Sequence, residues 1–287
     1  MLVPEGLETA VERLTRLEEH PQPTLIGVRY PVMMMHGFGM LASFRRQGHL
    51  HEEAMHLRRR GVAAFAPNVS PYDTVPVRAR LWEERLDHVL SETGAEQVNL
   101  VAHSMGGLDA RYLISIRGRH DDIASLTTIS TPHHGSAIAR ILLEQPERFR
   151  ELAAALVDWL GETTLDDASS NVHQALTELT PNHLTETFNP QVPNHASVCY
   201  WSHAGHAGKE TNVTLNPVMN VLNRILHQHE GPNDGFVSVE SGRWGTFRGA
   251  VPADHAQQVG LRPSDDGPFD AHEFYAGIAR HLAEAGL

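Results

Sequence analysis

Cysteine and long apolar runs are nearly absent from this sequence. Its 287 residues include a single cysteine, Cys199, so no intramolecular disulfide can form and a disulfide-framed secreted scaffold is excluded. We expect Cys199 to be a small buried apolar side chain. The longest apolar runs cover only a handful of residues, far below the roughly 20 needed to cross a bilayer, so no transmembrane segment is predicted.

Basic residues are fewer than acidic ones. Lys and Arg together number 23 against 35 Asp and Glu, which gives a formal net charge of −12. This sign repels phosphate backbones and anionic lipid headgroups, so nucleic-acid binding is not expected. The first sixteen positions hold five charged residues, with no apolar stretch before a small-residue cleavage site. We therefore expect the protein to be cytoplasmic, or to be exported without a cleavable signal peptide.

Strand-like and helix-like segments alternate along most of the chain. Short apolar runs typical of buried strands occupy residues 30–36, 62–67, 98–102, 126–129, 196–201 and 236–239. Helical patterns occupy residues 52–60, 76–92, 108–116, 216–229 and 272–284. This alternation predicts an α/β fold, with a mostly parallel sheet and helices on both faces, in a single domain over residues 1–287.

Two segments fall outside this alternation. Residues 1–23 carry leucine and valine at helical spacing and predict a helical extension ahead of the core, ended by Pro21 and Pro23. Residues from about 136 to 190 contain helix-like stretches and no strand pattern, which indicates an insertion. Within it, residues 147–160 form an amphipathic pattern that fits either an ordinary surface helix or a lid over an apolar cleft.

The strongest local pattern is the segment 98–111, which reads VNLVAHSMGGLDAR. An apolar strand leads into Ser104, and a helical pattern follows directly. Ala102 and Gly106 lie two positions to either side of Ser104, where a strained turn that brings strand and helix together requires small residues. Such a turn exposes the Ser104 hydroxyl above the sheet, where a histidine can take its proton. The alternative is a serine that only caps the helix.

This turn and four other segments resemble the α/β-hydrolases, and among them the bacterial true lipases, a family of triacylglycerol lipases. The other segments are HGFG at 36–39, STPHHGS at 130–136, SVCYWSHAG at 197–205 and NDGFV at 233–237. Together they cover most of residues 30–260. The resemblance implies the α/β-hydrolase fold with a helical lid, and a carboxylic ester hydrolase that acts on an ester or lipid substrate.

The resemblance also implies a catalytic triad in the chain order Ser, Asp, His. Ser104 is the predicted nucleophile, and Asp234, in the turn sequence NDG, is the predicted acid. The predicted base is His255, which lies 21 residues after Asp234 in a polar loop that follows a predicted strand. His272 is the main competitor for this role, and its other interpretation is a solvent-facing residue at the start of the last helix.

Backbone donors for the developing oxyanion are implied by the same resemblance. The N–H groups of Phe38 and Met105 are the predicted oxyanion hole. Structural roles beside the site are predicted for His36, His103, His133 and His134.

No metal or cofactor is predicted. Many lipases of this family bind a structural calcium ion near the histidine loop, but Gln257 stands here where the family has a ligand aspartate. A neutral amide is a poorer ligand for a hard dication than a carboxylate is, so a calcium site is not favoured. The histidine-rich stretches 203–206 and 227–229 lack a fixed spacing to carboxylates or cysteines and predict a solvated surface.

Two other functions remain open at this stage. The same triad could pass an acyl group to an alcohol or cleave a thioester, which would make the protein an acyltransferase or a thioesterase. A catalytically silent hydrolase-fold binding protein is the other alternative. It is disfavoured because nucleophile, acid, base and oxyanion loop all have candidates in the right chain order. No pattern predicts an oligomeric state.

Overall fold

Six parallel strands organise the part of the chain that the computed structural model describes, which comprises residues 24–38, 50–144, 169–215, 217–261 and 268–287. The strands are β1 (Val32–Met35), β2 (Ala64–Phe65), β3 (Val98–His103), β4 (Ile123–Ile129), β5 (Cys199–Gly205) and β6 (Thr246–Val251). Their order is β2-β1-β3-β4-β5-β6, and every neighbouring pair is parallel. The predicted α/β architecture with a parallel sheet is confirmed.

Helices connect the strands. They are α1 (His51–Arg59), α2 (Val75–Thr93), α3 (Gly106–Ser115), α4 (Ala137–Glu144), α5 (Ser169–Glu178), α6 (Asn189–Gln191), α7 (Pro217–Glu230) and α8 (Ala271–Glu284). A π-helical segment covers His183–Phe188, and 3₁₀ turns cover Arg119–Asp121 and Gln257–Val259. The helix α2 begins with a proline in its first turn and ends at Gly94, whose φ of 65° terminates it.

The two faces of β1 divide the core into two layers. Side chains alternate across a strand, so Val32 and Met34 face one way and Met33 and Met35 face the other. The first pair packs in a cluster with residues of α1 and α8, and the second pair with residues of α2 and α3. All four side chains are buried. Helices therefore cover both faces of the sheet, which explains why its strands read as continuous apolar runs.

The described parts of the predicted insertion, residues 136–144 and 169–190, contain helices and no strand. Their apolar side chains pack over the carboxyl end of the sheet, where Leu176, Leu184 and Phe188 share a cluster with Met105 and Leu108. We name residues 169–192 the cap segment. The predicted helix at 147–160 and the predicted extension at 1–23 lie outside the described residues.

Two predictions about local structure are wrong. Residues 236–239 do not form a strand but belong to a compact turn, because the Asp234 carboxylate accepts hydrogen bonds from the N–H groups of Phe236 and Val237 and folds the chain back. The strand that precedes His255 is instead β6, an edge strand whose residues alternate between exposed and partly buried. Cys199 is exposed, contrary to expectation, at the first position of β5. Within the described ranges, no helix is long and apolar enough to span a membrane.

Candidate active site

A strained turn after β3 presents the predicted nucleophile. Ser104 has a φ of 57°, a left-handed conformation that is costly for a residue with a side chain. The turn is held by two backbone hydrogen bonds, from Ser104 N–H to Ile129 O (2.9 Å) and from Gly107 N–H to Ser104 O (3.0 Å). A Cβ at Gly106 would lie 2.7 Å from the carbonyl oxygen of His36, so only glycine allows strand and helix to approach this closely.

Ser104, His255 and Asp234 form one hydrogen-bonded chain. The Nε2 atom of His255 lies 3.0 Å from Ser104 Oγ, and its Nδ1 atom lies 2.8 Å from Asp234 Oδ2. The three residues follow different strands, β3, β5 and β6, and they meet because the carboxyl ends of parallel strands lie at one edge of the sheet. Asp234 is fully buried and His255 is 5% exposed, while Ser104 is partly accessible.

The environment of Asp234 keeps its carboxyl group ionised. Burial alone would raise the pKa of Asp234, but the adjacent His255 ring and the N–H groups of Val237 and Phe236 together hold it below its usual value. Those N–H groups bind Oδ1 at 2.8 and 3.0 Å. An ionised carboxylate that accepts from Nδ1 orients the imidazole so that Nε2 faces the serine.

The two predicted oxyanion donors belong to residues that adjoin Ser104 and Gly37 in the chain. Phe38 follows β1 and Met105 directly follows Ser104, and neither backbone N–H donates a hydrogen bond to another group of the described residues. The preceding Gly37 lies against the nucleophile, because a Cβ there would come within 2.5 Å of Ser104 Cβ and 2.9 Å of Ser104 Oγ. These observations are compatible with the predicted oxyanion hole.

A buried ion pair supports the loop that carries Phe38. Arg78 and Asp109 are both fully buried, and the guanidinium lies 2.8 Å from Asp109 Oδ2. The same carboxylate oxygen accepts from Trp82 Nε1 at 3.0 Å. Arg78 also donates to the carbonyl oxygen of His36 at 2.7 Å. The sequence patterns did not predict this network, although Arg78 and Trp82 share the apolar face of α2, which indicates a buried polar cluster.

His36 holds the same loop as a neutral ring. Its Nε2 accepts from the N–H of Val69 at 3.1 Å, so the proton is on Nδ1, which lies 3.0 Å from Gly37 O. Burial and the positive charge of Arg78 lower the pKa of His36 to about 4. The ring therefore stays uncharged at neutral pH and acts as a fixed hydrogen-bonding unit.

The other histidines that the sequence analysis singled out make different contacts in the described part of the chain. The His103 ring packs against His255 with centroids 4.5 Å apart, and His272 stacks on His56 at 4.6 Å. His133 is buried, with Nε2 3.0 Å from Thr128 Oγ1, and its ring stacks on Trp244. His134 lies beside the same tryptophan. The structure brings His255, and not His272, to Ser104.

The residues near the histidine loop do not fit the calcium site that the family resemblance implies. Gln257 Oε1 accepts from the N–H of Asp254 at 2.9 Å, and its Nε2 donates to the carbonyl oxygen of Thr214 at 3.4 Å. Both ends of the amide are therefore engaged with the protein. Among the residues that the structure describes, no group of three or more His, Cys, Asp and Glu side chains is arranged to hold a metal ion.

The sheet order, the strained serine turn and the position of the serine at the carboxyl edge together define an α/β-hydrolase. A family described as a PGAP1-like alpha/beta domain matches residues 84–150. Among curated proteins, the chain resembles triacylglycerol lipase 2 of Saccharomyces cerevisiae, with 32% identity over 68% of this chain and 56% of the relative. It also resembles a triacylglycerol lipase of Pseudomonas fragi, with 28% identity over 91% of this chain and 99% of that protein.

Solved structures share the fold. A metagenomic carboxyl esterase superposes with a TM-score of 0.73 over 91% of this chain and 78% of the esterase, at 17% identity. A mature lipase of Bacillus licheniformis superposes with a TM-score of 0.66 over 91% of this chain and 94% of the lipase, at 19% identity. The chain thus has the α/β-hydrolase fold, and its sequence resembles triacylglycerol lipases, as the motifs indicated.

Proposed function

We propose that this chain is a carboxylic ester hydrolase of lipase type. In this proposal Ser104 is the nucleophile, His255 the general base and Asp234 the acid that orients it. The proposal rests chiefly on one observation, the continuous hydrogen-bonded chain of 3.0 Å and 2.8 Å that links the three side chains. The resemblance to triacylglycerol lipases supports the same reaction class.

The proposed reaction proceeds by acyl transfer through a covalent ester. His255 Nε2 takes the Ser104 proton as Oγ attacks the ester carbonyl, and the carbonyl oxygen becomes an oxyanion that Phe38 and Met105 stabilise with their N–H groups. The C–O bond to the alcohol breaks, and the imidazolium gives the alcohol its proton. Water then attacks the acyl-enzyme with His255 as base, which releases the carboxylic acid and restores Ser104.

The surroundings of the serine favour an apolar acyl group. Phe38 and Met105, which carry the proposed oxyanion donors, pack in one cluster with the apolar cap residues Leu176, Leu184 and Phe188. Phe38 and Tyr72 are partly exposed members of this cluster, so an acyl chain bound beside the oxyanion hole would contact their aromatic rings. We accordingly propose esters of fatty acids as the substrate class.

Hydrolysis of p-nitrophenyl esters with two to sixteen carbons tests the proposal, with wild type and Ser104→Ala measured side by side. We expect the wild type to cleave medium or long chains in preference to acetate, and the variant to lose turnover by about 10³-fold or more. Absence of turnover in the wild type would contradict the proposal. A serine-reactive alkyl phosphonate then separates the alternatives, because an acyltransferase or thioesterase is still labelled at Ser104 and a silent binding protein is not.

A further inference from the structure

One carboxylate oxygen of Asp234 accepts a hydrogen bond that the triad does not account for. Oδ2 faces His255 Nδ1, and the side-chain amide of Gln258 also donates to it from Nε2 at 3.0 Å. With the N–H groups of Phe236 and Val237 on Oδ1, the carboxylate receives four donors. Three of them come from groups that do not titrate, namely two backbone N–H groups and the Gln258 amide.

The Gln258 amide is fully buried, and its Nε2 donates to Asp234 Oδ2 and, at 3.5 Å, to the carbonyl oxygen of Ala253. Its Oε1 atom has no hydrogen-bond partner, although an unpaired buried oxygen costs free energy. The opposite orientation would place Oε1 against the ionised Asp234 oxygen, where two acceptors repel each other. Gln258 Oε1 is therefore left without a partner because Nε2 is directed at the Asp234 carboxylate.

The neighbouring strand is shaped to admit this amide. A Cβ at Gly205, the last residue of β5, would lie 2.0 Å from Gln258 Nε2 and 2.7 Å from Asp234 Cβ. Any other residue at this position would displace the amide or the carboxylate. Gly205 and Gln258 thus form a matched pair around Asp234, one from the sheet and one from the 3₁₀ turn after His255.

We propose that Gln258 is a positioning residue of the triad, which holds the Asp234 carboxylate against His255 and moderates its negative charge through a donor that does not titrate. This inference rests on the proposed function. A glutamate of the same size would donate only while protonated and would otherwise repel Asp234. The neutral amide supplies the contact at every pH at which Asp234 is ionised.

The pH dependence of kcat/KM tests this role with the variant Gln258→Met, which keeps the length of the side chain and removes the donor. With p-nitrophenyl butyrate, we expect kcat/KM to fall about tenfold at pH 7, because a hydrogen bond to a charged group is lost. The midpoint of the acid limb should move about 0.5 to 1 pH unit higher, since the less solvated carboxylate holds the imidazolium more strongly. Gln258→Leu, which also removes the donor and adds no titratable group, should move the midpoint in the same direction.

The control is Val259→Ala, which removes buried apolar atoms from the same turn without touching Asp234. It should lower the melting temperature and leave the acid limb in place. If Gln258→Met melts earlier but keeps the wild-type midpoint, Gln258 only fills space and the inference is wrong. If Gln258→Met does not fold, Gln258→Leu decides alone, and an unshifted midpoint in that variant refutes the inference.

A second readout separates this inference from the proposed function. The imidazolium N–H proton that binds Asp234 gives a far-downfield NMR resonance, which His255→Ala identifies by its loss. Its midpoint in a pH titration is measured without substrate. If the wild type hydrolyses no ester, the proposed function is wrong. This titration still tests whether Gln258 positions Asp234 against His255. A midpoint shared by wild type and Gln258→Met would then overturn the inference.

Discussion

Arg78 Nη2 lies 2.7 Å from the carbonyl oxygen of His36 and 2.8 Å from Asp109 Oδ2, so one guanidinium joins the loop of an oxyanion donor to the helix that follows the nucleophile. Asp109 lies in α3, which begins two residues after Ser104. The positions of Ser104 and Phe38 thus depend on an ion pair whose two side chains are fully buried.

Asp109→Asn should therefore destabilise the protein. The substitution keeps the size of the side chain and leaves the buried Arg78 charge without its counter-charge, which typically costs about 3 to 5 kcal/mol. Urea unfolding of both proteins measures the difference. Glu83→Gln is the control, because Glu83 pairs with the arginines 117 and 119 at a partly exposed site and should cost at most about 1 kcal/mol. If both variants lose the same free energy of unfolding, burial does not make the Arg78–Asp109 pair more important than an exposed one.

His255→Ala should remove nearly all ester turnover, by about 10³-fold or more, because it removes the imidazole whose Nε2 lies 3.0 Å from Ser104 Oγ. His272→Ala should keep most of the activity, since His272 stacks on His56 away from the hydrogen-bonded chain. Steady-state kinetics with p-nitrophenyl butyrate compares the two. The reverse result would refute the assignment of the base.

Gly37→Ala should reduce kcat at least tenfold. Its methyl group would lie within 3 Å of both Ser104 Cβ and Ser104 Oγ and must displace either the nucleophile or the oxyanion loop. Gly27→Ala is the matched control, because nothing lies within 4 Å of the position that its methyl group would occupy. An active Gly37→Ala enzyme would show that the loop and the serine can separate without loss of function.

Asp254→Asn should change how stability depends on pH. Burial raises the pKa of Asp254 to about 6, so the protonated carboxyl favours the folded state. Its contribution is complete below about pH 4 and is lost as the pH rises through 6. The variant mimics the protonated form, so its stability relative to wild type should rise by up to about 3 kcal/mol between pH 4 and pH 8. Urea unfolding at several pH values measures this.

The control for that experiment is Asp121→Asn, whose side chain is 91% exposed. It should follow the wild type at every pH. A constant difference between Asp254→Asn and wild type would mean that the charge on Asp254 is not penalised in the folded protein.

Prolonged chelation should leave ester turnover unchanged. The histidine loop is held by protein groups, among them the Gln257 amide, which binds Asp254 and Thr214 where the family resemblance implies calcium. Activity and melting temperature are measured after dialysis against a calcium chelator and again after calcium is restored. A loss that calcium reverses would refute this expectation.

The parts of the site that one local segment determines could be predicted from the sequence. The turn at Ser104 is such a part, because its strand, its small flanking residues and its helix lie within 98–111. The strand predicted at 236–239 does not form, although these residues have the expected apolar pattern. The Asp234 side chain lies outside that pattern, and its hydrogen bonds to the N–H groups of Phe236 and Val237 fold the segment into a turn. Hydrogen bonding by one aspartate outweighed the β propensity of four residues.

Contacts between distant segments that no family motif marks could not be predicted. Arg78 shares the apolar face of α2 with Trp82, but its partners Asp109 and His36 lie in other segments, and the sequence does not identify them. Gln258 likewise carries no motif, and its amide meets Asp234 only after β5 and β6 have paired. The Gln258 and Asp234 side chains meet across 24 positions of the chain, and those of Arg78 and Asp109 across 31.

The separation of the three triad candidates along the chain has a consequence for protein synthesis. Ser104 is translated about 150 residues before His255, which must be placed by β6 at the far edge of the sheet from β2. Until that last strand leaves the ribosome and docks, Ser104 is an ordinary alcohol with no base to activate it. Under the proposed mechanism the nascent chain is inert toward cellular esters, and the onset of hydrolysis reports that the sheet is complete.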